Sequence, residues 1–172
     1  MKLLQQLQKI KELRMSTKDK QRTINVSEAF HLWSHLTQRY SVLHITETLE
    51  PFVRDGDLKL ILKLGKRALI RDIKILEKEI AAYGVPFPLR PPKQTKISEV
   101  ADPFSDRYIY RRILRGIQGF LPTHIAAFMH STSPKIRELF FTFLVEEMKI
   151  YDKYIEYGKL KGYEIMPPAY SQ

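Results

Sequence analysis

Two pairs of long amphipathic segments, separated by one long connection that contains several prolines, constrain the fold of this chain most strongly. Apolar residues recur in all of these segments at spacings of three and four, the period of one helix face. A short turn joins the two members of each pair, whereas about twenty residues separate the pairs. The pattern predicts helices over residues 27–53, 58–83, 105–131 and 134–161.

Residues with clear capping preferences mark the predicted helix ends. Ser27 is expected to cap the first helix, and the turn after it uses Gly56 at positive φ and Asp57 as the cap of the second helix. Gly84 closes the second helix, and Pro134 suits the first position of the fourth. The inward face of the first helix is predicted to carry Trp33, Leu36, Tyr40 and Leu43.

This order of connections predicts the topology. Helices of about 26 residues are about 39 Å long, so the four match one another in length. Short turns make each pair antiparallel, and the long connection can cross the full length of the bundle. We therefore predict an all-α, ferritin-like four-helix bundle over residues 25–172, with residues 1–24 as an extra basic, amphipathic N-terminal helical segment.

The charge of the chain is concentrated near its start. The net charge is +10 and the pI is about 9.7, and residues 1–22 hold seven Lys or Arg residues against two acidic ones. An anionic surface is therefore a candidate partner for residues 1–22. The alternative is that this segment packs on its own bundle or on a second copy. Its apolar residues form a rough stripe at Leu3, Leu4, Leu7, Ile10 and Leu13.

Composition excludes several classes of site and of protein. The chain has no cysteine, so disulfides, thiolate metal sites and cysteine nucleophiles are excluded. No apolar run is long enough to span a membrane, and the start lacks a secretory signal, so we expect cytoplasmic synthesis. Arg107, Arg111, Arg112 and Arg115 form a basic cluster without any nucleic-acid reader motif, and we interpret it as a solvated face.

Four polar residues are predicted to face the core near the middle of the bundle. On a helical wheel Glu47, Asp72 and Glu147 point inward, and His124 lies at the border of its apolar face. Asp72, His124 and Glu147 are expected at similar heights, with Glu47 nearer the first turn. Because a buried carboxylate needs a donor, a cation or a metal, tyrosines and His124 are candidate partners.

A metal site is the alternative interpretation of these residues. Iron or manganese bundles use a Glu from each of two helices and Glu-x-x-His from each of the other two. The second and fourth helices lack that pair, so a satisfied polar cluster without a metal or other cofactor is favoured. Glu28 and His31 form the only Glu-x-x-His, extended by His35, and the wheel predicts that all three project to the exterior.

Several ordered motifs resemble a known family. They are Leu32-Trp33, Gly84-Val85-Pro86-Phe87-Pro88, Asp102-Pro103-Phe104-Ser105-Asp106, Lys161-Gly162-Tyr163 and Met166-Pro167-Pro168. In this order they resemble a ferritin-like family of unknown function from spore-forming Firmicutes, related to spore coat protein F, over about residues 25–170.

The resemblance implies a spore-coat or sporulation-associated protein without an established catalytic activity. Asp72 stands where the resemblance implies a histidine, which departs from an inherited metal site. We therefore expect a non-enzymatic structural or interaction module with protein partners or self-association. A divergent protein that binds iron or manganese through Glu47, Asp72, His124 and Glu147 is the alternative.

Overall fold

The computed structural model describes residues 15–92, 104–165 and 168, and every regular element in them is helical. The predicted N-terminal stripe at residues 3–13 lies outside the described residues. None of the described helices is long and apolar enough to cross a membrane. The helices are α1 (Thr17–Gln21), α2 (Val26–Leu49), α3 (Gly56–Tyr83), α4 (Asp106–His130) and α5 (Pro134–Lys161), and a 3₁₀ turn (Glu50–Phe52) follows α2.

A capping box begins α2 one residue earlier than the sequence predicts. The Asn25 side chain accepts a hydrogen bond from the backbone N–H of Glu28, and the Glu28 carboxylate accepts one from the backbone N–H of Asn25. This pair satisfies two amides that the helix start would otherwise leave without partners. The prediction of Ser27 as the cap was therefore wrong, because Asn25 can bond reciprocally with Glu28.

The turn into α3 also differs from its prediction. Asp55, not Asp57, caps α3, and its carboxylate accepts hydrogen bonds from the backbone N–H groups of Asp57 and Leu58. Gly56 is the first residue of the helix, and the glycines at positive φ among the described residues are Gly84 and Gly162. These two end α3 and α5 in left-handed conformations that glycine adopts without strain.

The turn between α2 and α3 is tied to the start of α4. The Asp106 carboxylate accepts hydrogen bonds from the backbone N–H groups of Arg54 and Asp55, each at 2.9 Å. Ser105 caps α4, which continues through Pro122 without a break. This link joins the two helix pairs at one end of the molecule.

Two hydrophobic clusters occupy the two ends of the helix assembly. The histidine-side core contains the first half of α2, the second half of α3, the end of α4 and the start of α5. The tyrosine-side core contains the opposite halves of the same helices. Neighbouring helices within each pair are therefore antiparallel. The inward face of α2 is rotated from its prediction, because Leu32 and Leu36 are fully buried whereas Trp33 is 39% exposed.

Candidate functional site

A buried arginine lies at the centre of the polar cluster between the two cores. Arg39 Nη2 lies 3.2 Å from Asp72 Oδ2 and 3.3 Å from Glu147 Oε2. The same nitrogen lies 3.4 Å from His124 Nε2. Each of the long helices thus contributes one side chain. Arg39 comes from α2, Asp72 from α3, His124 from α4 and Glu147 from α5. We call Arg39, Asp72, His124 and Glu147 the ionic layer.

Aromatic rings hold the Arg39 guanidinium in place. Its carbon Cζ lies 4.2 Å from the centre of the Phe120 ring and 5.4 Å from that of Phe143. A guanidinium over a ring face gains cation–π attraction, which is larger where water is excluded. Arg39 Nε is buried and has no hydrogen-bond partner among the residues that the structure describes.

A second arginine reaches the ionic layer from its edge. Arg71 donates two hydrogen bonds to Asp72 Oδ1, at 2.9 Å from Nε and 2.8 Å from Nη2, and also pairs with Glu146. Burial raises the pKa of Asp72, and the charges of Arg39 and Arg71 oppose that shift. The Asp72 carboxylate therefore has cationic partners on both of its oxygens.

Hydrogen-bond geometry assigns a tautomer to each histidine that leads into this layer. His35 Nδ1 lies 2.8 Å from the His31 carbonyl oxygen, so Nδ1 carries the proton and donates. His35 Nε2 is then the acceptor for His124 Nδ1 at 3.2 Å. His124 Nε2 in turn has a lone pair that accepts from Arg39. Both imidazoles are therefore neutral donors through Nδ1.

Burial keeps these histidines uncharged. Burial, with a smaller contribution from His124, lowers the pKa of His35 to about 3. Burial also lowers the pKa of His124, although the nearby Glu147 carboxylate opposes the shift. His124 Nε2 and Glu147 Oε2 are 3.7 Å apart, longer than a hydrogen bond. The histidine thus supports Arg39 and does not form an ion pair with Glu147.

A second histidine pair extends from this layer toward the surface. His31 Nε2 lies 3.0 Å from Nδ1 of the exposed His130. The prediction that Glu28, His31 and His35 project to the exterior was wrong, since their residues are 0%, 7% and 0% exposed. A helical wheel centred on Trp33 turns these three residues outward, whereas the observed face, centred on Leu32 and Leu36, turns them inward.

Glu28 serves as a structural cap. Its Oε1 accepts from the backbone N–H of Ser133 at 2.6 Å, and its Oε2 accepts from that of Asn25 at 2.7 Å. The carboxylate therefore ties the start of α2 to the turn before α5. Among residues 15–92 and 104–165, no group of three His, Asp or Glu side chains has the arrangement of a metal site.

The structure brings together three of the four residues that the sequence placed in the core. Asp72, His124 and Glu147 are buried and all contact Arg39. Glu47 is exposed, so the prediction that it points inward was wrong. Glu47 directly follows Thr46 on α2. Because the buried face of α2 is rotated from its predicted position, Thr46 is buried and Glu47 is exposed.

Sequence reasoning did not identify Arg39 as a core residue. Arginine is almost never fully buried unless it is paired, so its residue type predicts a surface position. A usable signal was nevertheless present, because Leu32, Leu36 and Arg39 follow one another at spacings of four and three. Asp72, His124 and Glu147 are the residues that would hold a metal, and the Arg39 guanidinium occupies the position between them.

Two solved structures have a similar fold. The putative spore coat protein of Bacillus halodurans C-125 is 22% identical, with a TM-score of 0.80, over 87% of this chain and 96% of that one. A conserved hypothetical protein from Mycobacterium tuberculosis is 12% identical, with a TM-score of 0.65, over 84% of this chain and 97% of that one. Identities this low indicate a shared fold and carry no function with them.

The family follows from a match over nearly the whole chain. No curated protein matches the sequence. The model of DUF3231, described as a protein of unknown function, matches residues 14–172. The predicted resemblance to a family of unknown function is therefore confirmed, while its ferritin-like relation stays a prediction. The chain belongs to the DUF3231 family.

Proposed function

We propose that this protein is a ferritin-like four-helix bundle that acts without catalysis, as a structural or interaction module of the spore coat or of sporulation. The observation that carries the proposal is the position of Arg39. Its guanidinium contacts Asp72, His124 and Glu147, one residue from each of the other long helices. A fixed positive charge therefore supplies the counterion that the two carboxylates need.

Electrostatics explains why this arrangement disfavours a bound metal. A divalent cation between Asp72 and Glu147 would lie close to the permanent positive charge of Arg39 at low dielectric, where repulsion is strong. Arginine cannot relieve that repulsion by losing its proton. The neutral His124 already uses its free lone pair on Arg39. A resident metal would require Arg39 to leave its place over Phe120.

The role in the spore coat rests on the description of the Bacillus halodurans structure and on the sequence resemblance. At 22% identity that structure supports the fold of this chain, and we extend its coat role to this chain as a proposal. Synthesis in the cytoplasm followed by incorporation into a coat layer agrees with a module that works through protein contacts.

Exposed apolar residues on α2 and on α4 support the expectation of self-association. Val26, Phe30 and Trp33 on α2 are 87%, 58% and 39% exposed, and Ile125 and Met129 on α4 are 46% and 72% exposed. Exposed apolar patches of this kind mark contact surfaces. Replacement of Phe30 and Met129 by Glu should lower the association state in sedimentation equilibrium, whereas Leu160→Glu, at the far end of α5, should not.

Metal analysis of the purified full-length protein tests the central claim. We expect substoichiometric iron and manganese after expression with either metal in the medium. Stoichiometric metal that is lost in Glu147→Ala would overturn the proposal and establish the alternative, a divergent metal-carboxylate protein. The contacts that Asp72, His124 and Glu147 all make with Arg39, which place the three side chains around one point, are the observation that favours that alternative.

A further inference from the structure

An apolar pocket enters the molecule between α3 and α5, beside the tyrosine-side core. Its volume is about 320 Å³, within the range of pockets that hold small molecules. All four long helices line it, mostly with aliphatic side chains. Its exposed lining residues are Leu64 and Gly65 on α3 and Lys153 on α5, so the mouth lies between these two helices.

Ion pairs join α3 to α5 on both sides of this mouth. Arg71 of α3 pairs with Glu146 of α5 beside the ionic layer. Asp57 at the start of α3 pairs with Lys161 at the end of α5. The seam between the two helices is therefore held together at both ends, and the pocket mouth lies in the apolar stretch between these pairs.

One cation of the pocket lining has no acidic partner. Arg39 and Arg71 face the two carboxylates at the inner end of the pocket. Lys66 lines the pocket but is paired with Glu50. Lys153 lines the pocket, is exposed, and makes no ion pair among the residues that the structure describes. An anionic group at the mouth would therefore give Lys153 a partner without displacing another.

Helix geometry places Lys153 well away from the buried carboxylates. It follows Glu147 by six residues on α5, and Lys66 precedes Asp72 by six on α3. These helices are antiparallel, because the second half of α3 packs with the start of α5. At 1.5 Å per residue both lysines lie about 9 Å from the ionic layer, on the same side of it. A head group at the mouth thus meets Lys153 without approaching the ionic layer.

We propose that this pocket binds one small aliphatic carboxylate, with its alkyl chain among the apolar walls and its carboxylate at the mouth beside the Lys153 ammonium. Burial of the chain supplies most of the affinity, since removal of apolar surface from water is favourable and an exposed ion pair adds little. The carboxylate remains in water, so it is not desolvated. The claim goes beyond the proposed role in the spore coat and does not depend on it.

Isothermal titration calorimetry on the full-length protein tests the proposal with octanoate and 1-octanol as probes. We expect octanoate to bind with a stoichiometry of one. Lys153→Glu replaces an attractive charge by a repulsive one, so it should weaken octanoate binding about tenfold and change octanol binding by no more than about twofold. Lys149→Glu, at an exposed position of α5 outside the pocket, makes the same change in net charge and should leave both unchanged.

Gly65→Leu tests the position of the alkyl chain. Gly65 lines the mouth, and an added Cβ there meets nothing within 4 Å, so this variant should fold and weaken the binding of both probes. Ala81→Leu, at an exposed position of α3 outside the pocket, is its control. Absence of octanoate binding, equal binding in Gly65→Leu and Ala81→Leu, or equal loss of octanoate binding in Lys153→Glu and Lys149→Glu would overturn the proposal. An equal loss of both probes in Lys153→Glu would also overturn it.

Discussion

The ionic layer and the tyrosine-side core bury polar groups in opposite ways. The ionic layer places two carboxylates and a neutral imidazole, from three helices, around the guanidinium of a fourth. In the tyrosine-side core, the rings of Tyr110 and Tyr154 stack with their centres 4.7 Å apart. The Tyr154 hydroxyl donates to the Tyr110 carbonyl oxygen at 3.3 Å, and the Tyr110 hydroxyl has the Glu164 carboxylate at 3.0 Å as its nearest acceptor. One region depends on balanced charge, and the other on the close packing of uncharged rings whose hydroxyls are hydrogen-bonded.

This difference determines how each region should respond to mutation. Removal of one member of a buried ion cluster leaves the others as uncompensated charges. The tyrosine pair carries no charge, because burial raises the pKa values of Tyr110 and Tyr154 well above the physiological range. The tyrosine-side core should instead be sensitive to side-chain volume, and Gly158 packs directly against the Tyr110 ring.

The largest effect is expected from Arg39→Met. It would leave Asp72 and Glu147 buried without their shared counterion, and loss of one partner from a buried pair costs about 3–5 kcal/mol. Urea unfolding followed by circular dichroism measures the change. Arg67→Met, at an exposed position of α3, is the matched control and should leave stability almost unchanged. Equal stability of the two variants would show that the ionic layer does not depend on Arg39.

Replacement of the whole cluster should reverse that loss. In Arg39→Met/Asp72→Leu/Glu147→Leu, apolar side chains replace all three charges, and such replacements are often neutral or stabilising by about 1–4 kcal/mol. We expect the triple variant to unfold at urea concentrations equal to or above those of the wild type. If the triple variant is as unstable as Arg39→Met alone, the attraction between the buried charges stabilises the fold by more than their desolvation destabilises it.

Gly158→Ala tests the packing of the tyrosine-side core. A Cβ at position 158 would lie 2.0 Å from the Tyr110 hydroxyl oxygen, so the stacked rings would have to move. Overpacking of this kind costs about 1–3 kcal/mol. Gly119→Ala on α4, where a Cβ meets nothing within 4 Å, is the control and should be stabilising because alanine favours helix. Similar thermal unfolding curves for both variants would contradict this packing.

A smaller effect is expected from acidification. The pKa of His35 is lowered from 6.5 to about 3, so the unfolded chain binds a proton below pH 6.5 that the folded chain does not. The free energy of unfolding is therefore highest above pH 6.5 and falls as the pH drops toward 3, by roughly 1.4 kcal/mol for this residue at pH 5.5.

His31 and His124, whose pKa values are also lowered, contribute with the same sign. The unfolding free energies of the wild type and His35→Gln, compared at pH 7.5 and 5.5, isolate the contribution of His35. This window lies above the ordinary range of carboxylates. A pH dependence that is unchanged in His35→Gln would show that His35 is not the group that titrates.

The fold was largely readable from local signals. Apolar spacing placed all four long helices, and Gly84 and Pro134 marked two of their ends because glycine and proline have strong backbone preferences. The caps at Asn25 and Asp55 were missed, since several neighbouring Ser, Asn and Asp residues have similar capping tendencies. Only the three-dimensional path of the turn distinguishes them.

The site was readable only in part. Asp72, His124 and Glu147 were predicted in the core and at similar heights, because their own helices carry clear apolar stripes. Glu47, Glu28, His31 and His35 were placed on the wrong sides of α2. The apolar stripe of α2 is weak, since its buried face carries histidines, an arginine and a threonine. Trp33 is large and apolar but lies outside that face, so a helical wheel that includes it predicts the wrong buried side.

The sequence by itself determined the number, length and order of the long helices, because helix period and helix ends depend on residues close together in the chain. Only the tertiary structure decided that Arg39 is the counterion of the core. Its burial is favourable only when Asp72, His124 and Glu147 arrive from three other helices, and that energy does not exist in any single segment.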